Sequence, residues 1–225
     1  PLYSSAASDV YKRQALWFKD IGLSRDLEVI EGEYVGAEQD SIGNLNKIIL
    51  KDGRKIEGDW FFDCSGFSRL LINKLLKVEQ IDLSQVFPAR SVVAWWEKPT
   101  PSLTTNAVAM PHGWSWNINL RHRSGNGYIF DPDCITLDQA VGEAEKRFDK
   151  KIEPVANFTY TPGISKLHWK NNVIAIGLSS GFLEPLEANG VAVIIEALYG
   201  VSDHWNPHKS TACLLYTSPS PRDRG

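Results

Sequence analysis

Residues 173–190 read VIAIGLSSGFLEPLEANG, and the apolar run VAVIIEAL follows directly. The opening apolar residues predict a buried strand, and GLSSG predicts a glycine loop after it. Two glutamates then flank Pro185 between Gly181 and Gly190, and a helix is expected from near Pro185 to about Tyr199. Two readings of this junction stand side by side. Proline suits a first helical turn, and acids favour the positive end of the helix dipole. Equally, a helix N-terminus with free N–H groups binds anions and cofactors.

A second strand-to-glycine junction lies upstream, in DWFFDCSGF at 59–67. Before it, LEVIEGEYVGAEQD, LNKIIL and KIEGDWFFDCSG read as a three-stranded antiparallel meander joined at SIGN and KDGR. After it, FSRLLINKLL has helical spacing, with Leu70, Leu71, Leu75 and Leu76 on one face. Strand, glycine turn and helix in that order place a ligand at the carboxyl end of a strand in α/β folds.

A further block of strands is expected in ARSVVAWWEK, TTNAVAMP, WSWNINL and GYIFDP. A helix is expected in TLDQAVGEAEKRFDKK, capped by Thr136 or Asp138, and ANFTYTPGI reads as one more extended piece. The fold class is therefore α/β (α+β), with an antiparallel meander and a second sheet.

The two ends read differently from the rest. SSAASDVYKRQ (4–14) and CLLYTSPSPRDRG (213–225) resemble translated sequencing-library adapters. Residues 1–14 and 213–225 are expected to be non-native flanks around the genuine protein sequence at 15–212. The chain carries a net charge of −3; with the flanks' net +2 set aside, 15–212 carries −5. Mild acidity argues against a nucleic-acid binder. Cys64 and Cys134 are too few for a disulfide framework or zinc site, and no metal is expected from His112, His122 and His168. Cys64 is expected to be a small buried hydrophobe. No apolar run approaches a membrane span, so a cytoplasmic protein without membrane partners is expected.

Taken together and in this order, DWFFDCSGF, HGWSWNINL and VIAIGLSSGFLEPLEANG resemble the flavin-dependent tryptophan halogenase family. The resemblance implies a truncated flavoprotein-monooxygenase-like FAD-binding fold with a substrate-side sheet. It also implies a chemistry in which reduced FAD, from a separate flavin reductase, activates oxygen. Chloride or bromide is then oxidised and delivered to tryptophan or another electron-rich ring.

The residue roles follow from the same resemblance. Glu187 matches the family's active-site glutamate, expected to assist at the substrate ring, and Asn189 and Gly190 match the pair whose backbone N–H groups hold halide. Trp114 and Trp116, at i and i+2 on a strand, share one face and are expected to screen flavin from substrate. Asp63, Ser65 and Gly66, with Gly177, Ser179, Ser180 and Gly181, are expected beside the cofactor. Glu184 is read as a capping acid. Three positions depart from the family pattern: Ala188 and Asn189, which make EANG of the usual ESTG, and Asn119, which stands for a proline. The alternative these departures leave open is a non-halogenating FAD-dependent monooxygenase. The family's GxGxxG loop and lysine are expected before Ala15 and the rest of the substrate pocket after Ala212. The chain alone is therefore expected to bind FAD weakly and to turn over nothing.

Overall fold

Alternating apolar residues and Gly- or Asp-rich turns give mostly short strands here, as the computed structural model of residues 5–102, 104–186 and 190–204 describes them. In chain order they begin with helix α1 (Ser5–Leu23), then strands β1 (Tyr34–Gln39), β2 (Leu45–Leu50), β3 (Lys55–Glu57), β4 (Phe61–Asp63) and β5 (Gln80–Asp82). Next come β6 (Ser91–Glu97), β7 (Thr105–Met110), β8 (Gly113–Asn119), β9 (Ser124–Phe130) and helix α2 (Leu137–Phe148). The series closes with β10 (Pro154–Thr159), β11 (Gly163–Ser165), β12 (Trp169–Lys170), β13 (Val173–Ala175), β14 (Gly181–Phe182) and helix α3 (Gly190–His204). Two compact units result, one of residues 1–30 and 84–161, the other of 31–83 and 162–225. The α/β class holds, with several antiparallel sheets. No helix among the described residues is long and apolar enough to cross a membrane.

The first unit is built on an antiparallel sheet of order β10-β6-β9-β8-β7. Val93 and Trp95 of β6 with Tyr128 and Phe130 of β9 point to one face, where Ala140 and Ala144 of α2 close the core. Small residues on that helix stripe let it lie close against the large rings. Of the two caps the sequence offers, Thr136 and Asp138, Thr136 is the one used, in a reciprocal capping box with Gln139. Tyr128 is fully buried; its hydroxyl donates to Glu143 at 2.8 Å, and the same carboxylate meets His112 Nδ1 at 2.8 Å.

In the second unit the meander is shorter than its sequence pattern. The strand expected from Leu27 begins only at Tyr34, and Leu27, Val29 and Ile30 are exposed. The turns behave as read: Asp40 accepts from the backbone of Ile42 and Asn44, and Gly53 takes φ +88°. The expected third strand divides. Lys55–Glu57 pairs with β2, whereas Phe61–Asp63 leaves the meander and pairs in parallel with β13.

That parallel pair is the unit's centre. Phe61, Val173 and Ala175 face Leu45, Leu71, Ile72 and Leu76, while Ile174 and Ile176 face Trp169, Ile194 and Val201. Both faces are covered, which is why Val173–Ile176 is continuously apolar. Asn172 ties the meander to this pair: its Oδ1 accepts from Leu45 N at 2.8 Å, and its Nδ2 donates to the carbonyls of Leu45 and Asp59.

Leu70–Leu75 forms a π-helical turn rather than the expected α-helix, with Lys74 N donating to Arg69 O and Leu76 N to Leu71 O. Helix α3 is described over Gly190–His204, and Pro185, where a first helical turn is expected, stands in a bend.

Replacing Asn172 by alanine removes the side-chain partner of Leu45's buried backbone N–H and C=O, so urea unfolding should show a loss of about 2–3 kcal/mol. Thr136→Ala removes one arm of the capping box and should cost about 1 kcal/mol in the same measurement.

Candidate functional site

Because β4 and β13 run parallel, with Asp63 opposite Ala175, both carboxyl ends leave the sheet on the same side. Each runs at once into a glycine turn: Gly66–Ser68 after β4 and Gly177–Ser179 after β13. Asp63, Ser65, Gly66, Gly177, Ser179, Ser180 and Gly181 are thereby gathered in one place, although more than a hundred residues separate the two stretches.

Asp63, 1% exposed, organises this place. One carboxylate oxygen accepts from Ser65 N at 3.0 Å and Ser65 Oγ at 2.5 Å. The other accepts from Leu71 N at 2.9 Å and Ile72 N at 2.8 Å, while Ser65 Oγ accepts from Leu70 N. A carboxylate holding four donors is a structural anchor, and its oxygens have little capacity left for a ligand. Its main-chain carbonyl accepts from Ile176 N at 3.0 Å and from Ser179 Oγ. Cys64, expected to be buried, is exposed, because its neighbours Asp63 and Phe61 take the inward positions of a period-two strand.

The hydroxyls of the second turn are spent inside the fold. Ser179 is fully buried, and Ser180 Oγ donates to Gly177 O at 2.7 Å. Gly181 has a packing reason of its own: a Cβ there would stand 2.9 Å from Gly163 O. Gly66 differs. Its φ is +66°, and nothing lies within 4 Å of where a Cβ would be, so this turn exposes bare backbone. Gly177 also has positive φ, +69°. A cofactor against these turns would meet main chain, not serine hydroxyls. The rings of Phe67 and Phe182 meet edge to face at 5.6 Å and join the turns.

Trp114 and Trp116 belong to the other unit, on the sheet face opposite α2. They are half-buried, with ring centroids 6.1 Å apart. Trp116 sits in a row of small residues, flanked by Ala107 and Gly127, with Ala94 and Ala156 beyond. A Cβ on Gly127 would come within 1.9 Å of the Trp116 ring, so the indole lies across that glycine. Sequence reading missed these small residues; their alternation with larger ones along each strand is the signal that could have found them. Gly190 is exposed at the start of α3, with nothing within 4 Å of a Cβ. Glu187 and Asn189 lie outside the described residues. Among the described residues no His, Cys, Asp or Glu cluster could hold a metal ion.

The profile of the tryptophan halogenase family matches residues 11–212. The chain belongs to this family. Tryptophan 7-halogenase RebH of Lentzea aerocolonigenes is 33% identical over 193 residues, a match covering 83% of this chain and 36% of that protein. Tryptophan 6-halogenase ThaL of Streptomyces albogriseolus is 32% identical over 186 residues, 80% of this chain and 35% of its own. Among solved structures, BrvH, a flavin-dependent halogenase from Brevundimonas sp. BAL3, superposes with a TM-score of 0.82 at 31% identity, covering 90% of this chain and 42% of its own. The chain thus spans little more than a third of the length of these sequence relatives.

Gly127→Ala should drive the Trp116 indole off its glycine. Near-ultraviolet circular dichroism is expected to lose the Trp114–Trp116 component while the far-ultraviolet spectrum is kept. Asp63→Asn should cost about 2–4 kcal/mol in urea unfolding, since an amide cannot accept all four donors.

Proposed function

We propose that this chain is part of an FAD-dependent halogenase, with a flavoprotein-monooxygenase-like fold, that acts on tryptophan or another electron-rich aromatic ring. The observation that carries this reading is the family match over residues 11–212, which spans the Trp114–Trp116 strand, both glycine turns and GFLEPLEANG. We take 15–212 as the family part between two adapter-like flanks; the match ends at 212 as this division does, but begins at 11, four residues inside the first flank.

The open backbone at Gly66 and the left-handed turn at Gly177 fit a cofactor approached by main chain. They would hold FAD, which, reduced by a separate flavin reductase, supplies the oxygen-activating chemistry. Asp63 and Ser65 act on that cofactor through the turn they brace, and Ser179, Ser180 and Gly181 through the second turn. The half-buried indoles of Trp114 and Trp116 form an apolar wall that keeps water and substrate from the oxidant. Backbone N–H groups at Asn189 and Gly190 hold chloride or bromide, an anion suited to the start of a helix. Glu187 accepts the proton that the ring gives up when halogen replaces hydrogen. A cytoplasmic setting, where reduced flavin is available, fits this chemistry.

The test is the full-length protein containing this chain, supplied with FAD, a flavin reductase, NADH, chloride and tryptophan. A product heavier by the mass of chlorine less hydrogen is expected, and Glu187→Gln should lower kcat by about a hundredfold. A hydroxylated product without halogen would instead establish the monooxygenase reading. The 225-residue chain alone should give neither product.

A further inference from the structure

Arg69 carries two anomalies at one position. Its backbone is left-handed, φ 43° and ψ 51°, a conformation unfavourable for a side chain of this size. Its side chain, 9% exposed, is buried, and of its donors Nη1 alone has a partner, Gln80 Oε1 at 2.6 Å. Nε and Nη2 are closed to solvent and bonded to nothing. Native proteins rarely leave even one buried donor unpaired, and here two lie on one cation. Burial pulls the guanidinium's pKa down, opposed by the charge of Asp63.

The unpaired atoms are not an arbitrary pair. Nε–H and Nη2–H form one edge of the planar guanidinium, the edge that takes two oxygens of a carboxylate or phosphate side by side. Gln80 occupies the opposite end and fixes the plane. The setting also marks a working position. Arg69 N closes the Gly66 turn by donating to Gly66 O at 3.1 Å, and Arg69 is the N-cap of the π-helical turn. Such turns recur at functional sites.

We propose that the free Nε/Nη2 edge of Arg69 is a binding site for a phosphate-type oxyanion beside the Gly66 turn. The guanidinium has already lost its hydration, so pairing regains interactions without a further desolvation cost on the protein side. Entry requires a rotamer change of Arg69 or Gln80. The proposal does not rest on the flavin reading.

The test uses the full-length protein that contains this chain, labelled with 15N-arginine and titrated with inorganic pyrophosphate. The Arg69 Nε–H resonance should move saturably. Arg69→Lys, which keeps the charge but not the two-donor edge, should weaken binding roughly tenfold or more. Gln80→Glu should also weaken it, by setting a carboxylate against the same guanidinium. Lys166→Ala, in a separate groove lined by Lys77, Lys166 and Lys170, should change nothing. Parallel titrations with FAD and with phosphate-free riboflavin separate the sources. An FAD preference lost in Arg69→Lys assigns the oxyanion to the dinucleotide, whereas a response to pyrophosphate without FAD binding keeps the site and defeats the flavin reading. An immobile Arg69 resonance, equal binding by wild type and Arg69→Lys, or loss of binding in Lys166→Ala would overturn the proposal.

Discussion

Asp63 is the residue on which the second unit depends. Its carbonyl receives the amide of Ile176 and the hydroxyl of Ser179, which fixes the end of β13 against the end of β4. Its carboxylate receives Ser65, Leu71 and Ile72, which fixes the turn and the π-helical segment beyond. A buried carboxylate is tolerated only when its lone pairs are filled, and here the local chain supplies every donor. One side chain thus sets the geometry of both glycine turns. The turns in their turn are left with main chain, rather than serine side chains, to offer a ligand.

The first unit obeys a different constraint, that of room. Two indoles on one sheet face need a floor without bulk, and the register supplies it by placing Ala107 and Gly127 on either side of Trp116. On the opposite face Trp95 and Tyr128 pack under the alanines of α2. Large residues on one strand meet small ones on its neighbour, so the same sheet carries a dense core and an open aromatic wall.

Much of this was legible in the sequence because it depends on near neighbours. Strands β6 to β9 and helix α2 follow from alternation, turn residues and the Thr136 cap. The three stretches that resemble the halogenases led to the family that the match over 11–212 established. The errors came where distant residues intervene. Lys55–Gly66 reads as one strand, but the two ends of that stretch pair with different partners, β2 and β13. Leu70–Leu75 has α-helical spacing, yet it closes as a π turn anchored through its first amides by Asp63 and Ser65, a bond pattern that spacing alone does not specify. Pro185 signals a first helical turn by local rules, but it stands in a bend.

By itself, the sequence determined which residue types carry chemistry and in what order they come. Those are properties of short windows: an apolar run, a glycine turn, two tryptophans at a spacing of two. Only the tertiary structure decided that the turns after Asp63 and Ala175 stand side by side, that Asp63 and Ser179 are spent on the fold, and that Arg69 is buried with an open edge. The reason is physical: parallel pairing and burial are set by contacts between residues far apart in the chain, and no local pattern encodes them.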